Sequence, residues 1–384
     1  MRFPGNINSK FPKMGTTIFS VMTALAKEHN AINLSQGFPE FEPNKIVLDA
    51  FSNAIQSSNH QYAPMPGMLP LREAIAEKIN SLYSLIVNPE KEITITAGAS
   101  QAIFTAIVAI VKEKDEVIVF APSYDSYVPS IEVMGALPVY YAMEAPDFSI
   151  KWDKVAKLVT QKTKMIIINS PHNPTSKLLT ADDIKQLEKI VKGTEIIILS
   201  DEVYEHIVFD EKKHLSVLQN KTLAEKSIAV FSFGKTYHTT GWKIGYVVAP
   251  ENITAEFRKL HQYNVFSVST PSQIAYTEIL KHKELYLELS AFYQEKRNYF
   301  QSALSSSRFT LLPSEGTYFQ LASFENISEL NDKDFTKWLT REKGVAAIPI
   351  SVFYPNQKDE KIVRFCFAKE SETLKRAAEW LNKI

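Results

Sequence analysis

Between residues 92 and 249 the chain repeats one pattern. A short run of mostly aliphatic residues ends in small or polar ones, and a stretch with helical spacing often follows. The runs cover 92–96, 116–120, 137–141, 164–168, 194–199, 227–231 and 245–249. Short continuous apolar runs bounded by turn residues read as strands buried on both faces. Strands alternating with helices predict an α/β fold, a largely parallel sheet covered by helices on both sides.

The flanks follow other rules. Pro4, Gly5, Pro12 and Gly15 punctuate the first residues, and a helical pattern over 18–29 follows. That combination predicts an arm packed on another part of the molecule. Residues 33–39 break into a loop around Gly37, where a residue without Cβ lets the backbone approach a ligand. Helices are predicted over 46–57 and 69–83, the second with Pro70 in its first turn, and a proline-bearing loop containing Tyr62 joins them. A further helix is predicted over 182–192. Beyond residue 270 the pattern changes. Helical spacing runs over 270–297, short strands over 308–319, 345–349 and 361–367, and a last helix over 370–382. This mixture predicts a smaller α+β domain. With 384 residues the chain is long for one core. The expected division is an arm with part of the small domain over 1–40, a large domain over 41–270 and a small domain over 271–384.

Composition narrows the classes. Hydrophobic residues make up 45% and charged residues 22%, as in ordinary globular domains. Lys+Arg and Asp+Glu balance at 43 each, so no basic field favours nucleic acid. Cys366 is the single cysteine, which excludes an internal disulfide and fits a reducing compartment. The first ten residues lack the apolar core of a signal peptide, and the run 102–111 is too short to span a bilayer. The expectation is a cytoplasmic protein without membrane, nucleic-acid or metal partners.

Ligands of such sheets bind beyond the carboxyl ends of the strands. Ser100, Tyr124, Asn173, Asp201, Tyr204, Ser232 and Lys235 all fall at those ends. A lysine there suits covalent chemistry with a carbonyl, since its amine forms a Schiff base once its pKa falls from about 10.4 toward neutrality. The small residues at 97–100 leave backbone N–H groups free at a helix N-terminus, an anion site. Arg364 lies within an apolar strand, and a buried arginine needs an anion. Each residue alone has a plainer reading. Lys235 would be a surface lysine, Asp201 a helix cap, Asn173 with Pro174 a turn, Tyr124 and Tyr204 core, and Arg364 a salt-bridge partner.

Taken in this order, Asn173-Pro174, Asp201 with Tyr204, the Lys235 segment and the late Arg364 resemble a class I/II pyridoxal-phosphate aminotransferase of fold type I, over nearly the whole chain. The 34–39 loop and the segment 241–245 are most similar to the kynurenine/glutamine/methionine aminotransferase branch. The resemblance implies a role for each residue. Lys235 is the Schiff-base lysine that moves the α-proton between Cα and the cofactor's C4′. Asp201 keeps the pyridine nitrogen protonated. Asn173 and Tyr204 hydrogen-bond the phenolate oxygen, and Tyr124 stacks on the ring. Ala99, Ser100, Gln101, Ser232 and Lys243 hold the phosphate, helped by Tyr62 from a partner subunit in a homodimer. Arg364 grips the substrate carboxylate, with Gly37, Asn173 and Ile18 beside it. Gly234 stands where the wider superfamily often has Ser, and Lys243 where it often has Arg. Both departures occur in the named branch.

The implied activity is a ping-pong aminotransferase with pyridoxal 5′-phosphate. Ile18, Phe19, Tyr62, Tyr124 and Phe266 would line a mostly apolar side-chain pocket without a second arginine. This favours methionine and aromatic donors over aspartate. A kynurenine/glutamine aminotransferase with cysteine-conjugate β-lyase activity is the alternative. A cofactor-sensing regulator is a remote one, since no basic recognition helix precedes residue 30.

Overall fold

A seven-stranded sheet, a four-stranded sheet, a two-stranded one and their flanking helices organise the chain in a computed structural model that describes residues 1, 4–12, 14–57 and 59–384. A short strand, β1 (Ile32–Asn33), precedes the larger sheet and is not part of it. That sheet contains β2 (Ile93–Thr96), β3 (Glu116–Ala121), β4 (Leu137–Ala142), β5 (Thr163–Asn169), β6 (Ile197–Asp201), β7 (Ser227–Ser232) and β8 (Gly245–Val248). Their order is β2-β8-β7-β6-β5-β3-β4. Every pairing is parallel except the two made by β8. β2 and β7 both oppose β8, so they run the same way. The C-terminal ends of all strands but β8 therefore share one edge of the sheet.

The continuous apolar runs have a direct cause. Side chains alternate across a strand, and here both faces are covered. Val117, Val119, Met165, Ile167, Leu199 and Val230 pack into one core with helices Ala99–Ile110 and Glu251–Asn264. Ile118, Phe120, Ile166, Ile168, Ile198 and Phe231 pack into the other with helices Leu69–Tyr83 and Thr270–Ile279. Polar residues gather at the ends of these strands, since one in the middle must find a partner, as Thr94 of β2 does in Arg258.

The later strands are β9 (Thr310–Leu311), β10 (Phe319–Ser323), β11 (Val345–Ala346), β12 (Ile348–Pro349) and β13 (Ile362–Cys366). Four form an antiparallel sheet ordered β12-β13-β10-β9. β11 pairs instead in parallel with β1, which ties residues 32–33 to this region. An aromatic-rich core that includes Phe300, Phe309, Phe335 and Phe365 fills it.

Three segments differ from the sequence expectation, one of them 345–349, which divides into β11 and β12 in separate sheets. The 308–319 strand divides into β9 and a β10 that begins only at Phe319. Between them Thr317 takes a left-handed conformation, φ 64°, and its N–H reaches Ile207 O, so the turn bonds to another segment instead of to a strand. The 270–297 pattern divides into helices Thr270–Ile279, Glu284–Leu287 and Leu289–Ala303. Lys235 lies in a single helical turn, Phe233–Thr236, closed by Tyr237 N–H to Phe233 O. Among the described residues no helix is long and apolar enough to cross a membrane.

Candidate active site

A cavity of about 250 Å³ lies at the strand-end edge of the larger sheet, where β10 and β13 come up against it. Ser100, Tyr124, Asn173, Asp201, Tyr204, Ser232 and Lys235 line it. Ala99, Lys243, Gly37, Phe19 and Arg364 complete the predicted residues that reach it. Segments more than three hundred residues apart thus meet, because the parallel strands all end on one side.

Lys235 projects from the turn after β7. Its Nζ lies 2.8 Å from Tyr318 Oη and 3.2 Å from Gly37 O. Burial pulls its amine down to about 8, and the nearby Arg364 and Lys243 cations act in the same direction. A neutral amine, the nucleophilic form, is therefore accessible near physiological pH.

Asp201 ends β6 and is buried. Its Oδ2 accepts from Tyr127 Oη at 2.5 Å, and its backbone oxygen accepts from Asn169 Nδ2 at 2.8 Å. Burial pushes its carboxyl up to about 6, against the Tyr127 hydrogen bond. No cation pairs with it among the described residues, so the site asks for one.

At the other end, helix Ala99–Ile110 opens onto the cavity. Its cap residue Gly98 has φ 77° and supplies no side-chain cap. The N–H groups of Ala99, Ser100 and Gln101 have no acceptor among the described residues. Gly245 permits this approach. A Cβ there would lie 2.6 Å from Phe231 O and 3.1 Å from Ala99 N. The Lys243 ammonium comes within 3.4 Å of the position a Cβ on Gly98 would occupy. Free N–H groups, the helix dipole and a lysine together make a site for an anion.

Arg364, on β13, is 1% exposed. Its Nη1 donates to Asn173 Oδ1 at 2.6 Å, and Asn173 N–H is held by Asn169 Oδ1 at 2.8 Å. The guanidinium lies 3.9 Å from the Phe319 ring centroid. Its Nε has no partner, and no carboxylate forms an ion pair with it among the described residues. A buried guanidinium with a vacant donor suits a ligand carboxylate.

Four predicted residues stand elsewhere. The Gln101 side chain turns away from the cavity, accepting from Ala97 N–H and donating to Thr105 Oγ1, so only its backbone N–H faces an anion. Ile18 lies off the cavity, whereas its neighbour Phe19, also expected there, lines it. One residue along a helix rotates the side chain by about 100°. Tyr62 is 80% exposed, edge-to-face with Phe266, and reaches no site within its own chain. Phe266 likewise does not line the cavity. Sequence reasoning did not find Tyr318, Tyr127, Asn169 or Phe319. Asn169 alone carried a signal, as a polar residue ending an aliphatic strand.

Pyridoxal phosphate carries a phosphate, a ring with a basic nitrogen, a phenolate and an aldehyde. The donor set matches them. Free N–H groups with Lys243 suit the phosphate, unpaired Asp201 the ring nitrogen, and the buried Lys235 amine the aldehyde. The residues present fit this group.

The comparisons agree with this chemistry. The family model described as aminotransferase class I and II matches residues 29–381. A methionine aminotransferase of Escherichia coli (strain K12) is 48% identical over 377 residues, 98% of each chain. A kynurenine–oxoglutarate transaminase of Dictyostelium discoideum is 33% identical, covering 96% of this chain and 94% of its own. The solved structure of YbdL from Escherichia coli, described as identifying a methionine aminotransferase function, superposes with a TM-score of 0.97 at 47% identity, covering 99% of this chain and 100% of its own.

Proposed function

We infer that this chain, which belongs to the aminotransferase class I and II family, moves the amino group of methionine and aromatic amino acids to a 2-oxo acid. Its cofactor is pyridoxal 5′-phosphate, as in the rest of the family. The observation that carries the donor class is the cavity wall. Phe19, Ile103, Val203 and Phe319 line it, and Arg364 is its only arginine among the described residues. One guanidinium serves the α-carboxylate shared by all donors. None is left for a second carboxylate, so an apolar or aromatic side chain is the better fit.

The bound cofactor supplies an aldehyde carbon for the amine and a ring that takes up the electron pair left when the α-proton departs. The chain's residues do the rest. Arg364 orients the substrate by its carboxylate, with Asn173 fixing the guanidinium. Lys235 Nζ takes the α-proton and gives it back, acting as base and then acid. Asp201 would hold a proton on the cofactor's ring nitrogen. Tyr204 and Asn173 would donate to its phenolate, the Ala99, Ser100 and Gln101 N–H groups with Ser232 and Lys243 would hold its phosphate, and Tyr124 would pack against its ring. Two half-reactions share this set, which makes the cycle ping-pong.

The assembly we propose is a homodimer in which Tyr62 reaches the other subunit's phosphate. Its exposure within one chain supports this. The proposed division is 1–40 with 271–384 around the smaller sheet and 41–270 around the larger, supported by the β1–β11 pairing. A cytoplasmic location is consistent with one buried cysteine.

A steady-state donor series with a fixed 2-oxo acid tests the reading. Methionine and phenylalanine should exceed aspartate by about tenfold or more in kcat/KM, the range one pocket contact gives. Aspartate as the preferred donor would reject the donor class.

A further inference from the structure

We propose that Tyr318 is the positioning residue for the reactive lysine: with the Gly37 carbonyl it forms the seat that the free Lys235 amine occupies whenever it is not bonded to the cofactor. The proposal rests on Lys235 being the reactive lysine, but not on which amino acid is the donor.

The hydrogen bonds assign the direction. Tyr318 Oη lies 2.6 Å from Gly37 O, which can only accept, so the phenol proton is given there. The lone pairs of Oη are left for Lys235 Nζ, 2.8 Å away. Nζ is also 3.2 Å from Gly37 O. The amine thus has two acceptors at one place. Tyr318 is fully buried, and burial raises its phenol well above the ordinary range, so the oxygen keeps its proton.

The local backbone is built to aim this ring. Thr317, a β-branched residue, sits at φ 64°, an uncommon and costly conformation. It is held by N–H to Ile207 O at 2.9 Å and by its hydroxyl against Ser176 Oγ at 2.9 Å. Gly316 is pressed so close that a Cβ would lie 2.7 Å from Ile207 O. The N–H groups of Glu315 and Gly316 both reach Ser176 O. Ser176 lies three residues past Asn173, so the turn that aims Tyr318 is bonded to the loop that fixes Arg364. One rigid unit therefore sets both the substrate carboxylate and the seat of the base. A base displaced by an ångström loses rate steeply.

The sign of the test follows from the acceptor role. Acceptors favour the charged amine, so removing one lowers the lysine's pKa. Asp201, Arg364, Lys243 and Cys366 are the other titratable groups acting on the amine, and Tyr318→Phe leaves all four in place. In the cofactor-free protein, the pH dependence of acetylation at Lys235, read by peptide mass spectrometry, gives its pKa. Tyr318→Phe should lower it by about one unit, the scale of one hydrogen bond to a charged group. In the loaded enzyme the same variant should lose about tenfold or more in kcat for methionine, with KM changed by less than about threefold. Tyr293→Phe, a neighbouring ring 5.6 Å from Tyr318 whose hydroxyl has no partner, should change neither reading and controls for packing. A Lys235 pKa unchanged or raised in a Tyr318→Phe protein that melts normally overturns the proposal.

Discussion

Arg364 Nη1 donates to Asn173 Oδ1 at 2.6 Å while its Nε, equally buried, has no partner. Half the fork is fixed by the protein and half is left for a ligand. Replacing it by lysine keeps a charge but removes the fork. Arg364→Lys should lower kcat/KM for every amino acid donor by about a hundredfold, from loss of about two charge-assisted hydrogen bonds. Steady-state kinetics with methionine and phenylalanine check it. A selective loss for one donor would contradict the common-carboxylate role.

Gly245 controls the anion end. A Cβ at that position would meet Phe231 O at 2.6 Å and Ala99 N at 3.1 Å, both backbone atoms that cannot swing aside. Gly245→Ala should therefore push the helix start away and weaken cofactor retention by about tenfold or more, with destabilisation of about 1–3 kcal/mol from overpacking. Equilibrium titration of the cofactor-free protein reads the first, and denaturant unfolding the second.

The larger cluster behind the site is structural. Lys78 Nζ lies 2.5 Å from Glu205 Oε1 and 3.0 Å from Tyr246 Oη, and Tyr83 also donates to Glu205. The Lys78 cation, with its hydrogen bond, holds the Glu205 carboxyl below the usual carboxylate range despite burial. Removing the cation leaves a buried anion with only the Tyr83 hydroxyl and the His206 ring beside it. Lys78→Met should destabilise the protein by about 3–5 kcal/mol in urea unfolding. A loss of less than about 1 kcal/mol would show that Glu205 finds another partner.

The pH dependence of the cofactor-free protein follows from Asp201. Its carboxyl rises from 3.8 to about 6 on folding, through burial. Between those values the native state binds more protons than the unfolded one, so stability falls as pH rises through that window. Asp201→Asn removes the group and should flatten the pH dependence of the unfolding free energy between pH 4 and 6, by up to about 1.4 kcal/mol per pKa unit. An unchanged slope would mean that Asp201 is ionised without its cation.

Much of this was legible in the sequence, for a physical reason. The buried strands advertise themselves as aliphatic runs, and in a parallel sheet polarity at a strand end is polarity at the site. Asp201, Asn173 and Lys235 could be singled out on that basis together with the family resemblance. Arg364 stood out as a charge among apolar neighbours. Other parts depend on long-range contacts that no local window encodes. Tyr318 and Tyr127 look like core aromatics until Lys235 and Asp201 are placed beside them. Of the neighbours Ile18 and Phe19, both expected at the pocket, only Phe19 lines it, because the helix phase, not the composition, decides which residue turns inward. Thr317 broke the expected 308–319 strand through bonds to Ile207 and Ser176, residues more than a hundred positions away.

The most direct test is a single half-reaction with the cofactor-loaded protein and methionine, no 2-oxo acid present, followed by absorption. The account predicts conversion of the lysine-bound cofactor to its aminated form with one equivalent of the methionine oxo acid, and no conversion in Lys235→Ala. A wild-type spectrum unchanged by methionine and by every aromatic amino acid, or full conversion in Lys235→Ala, would contradict it.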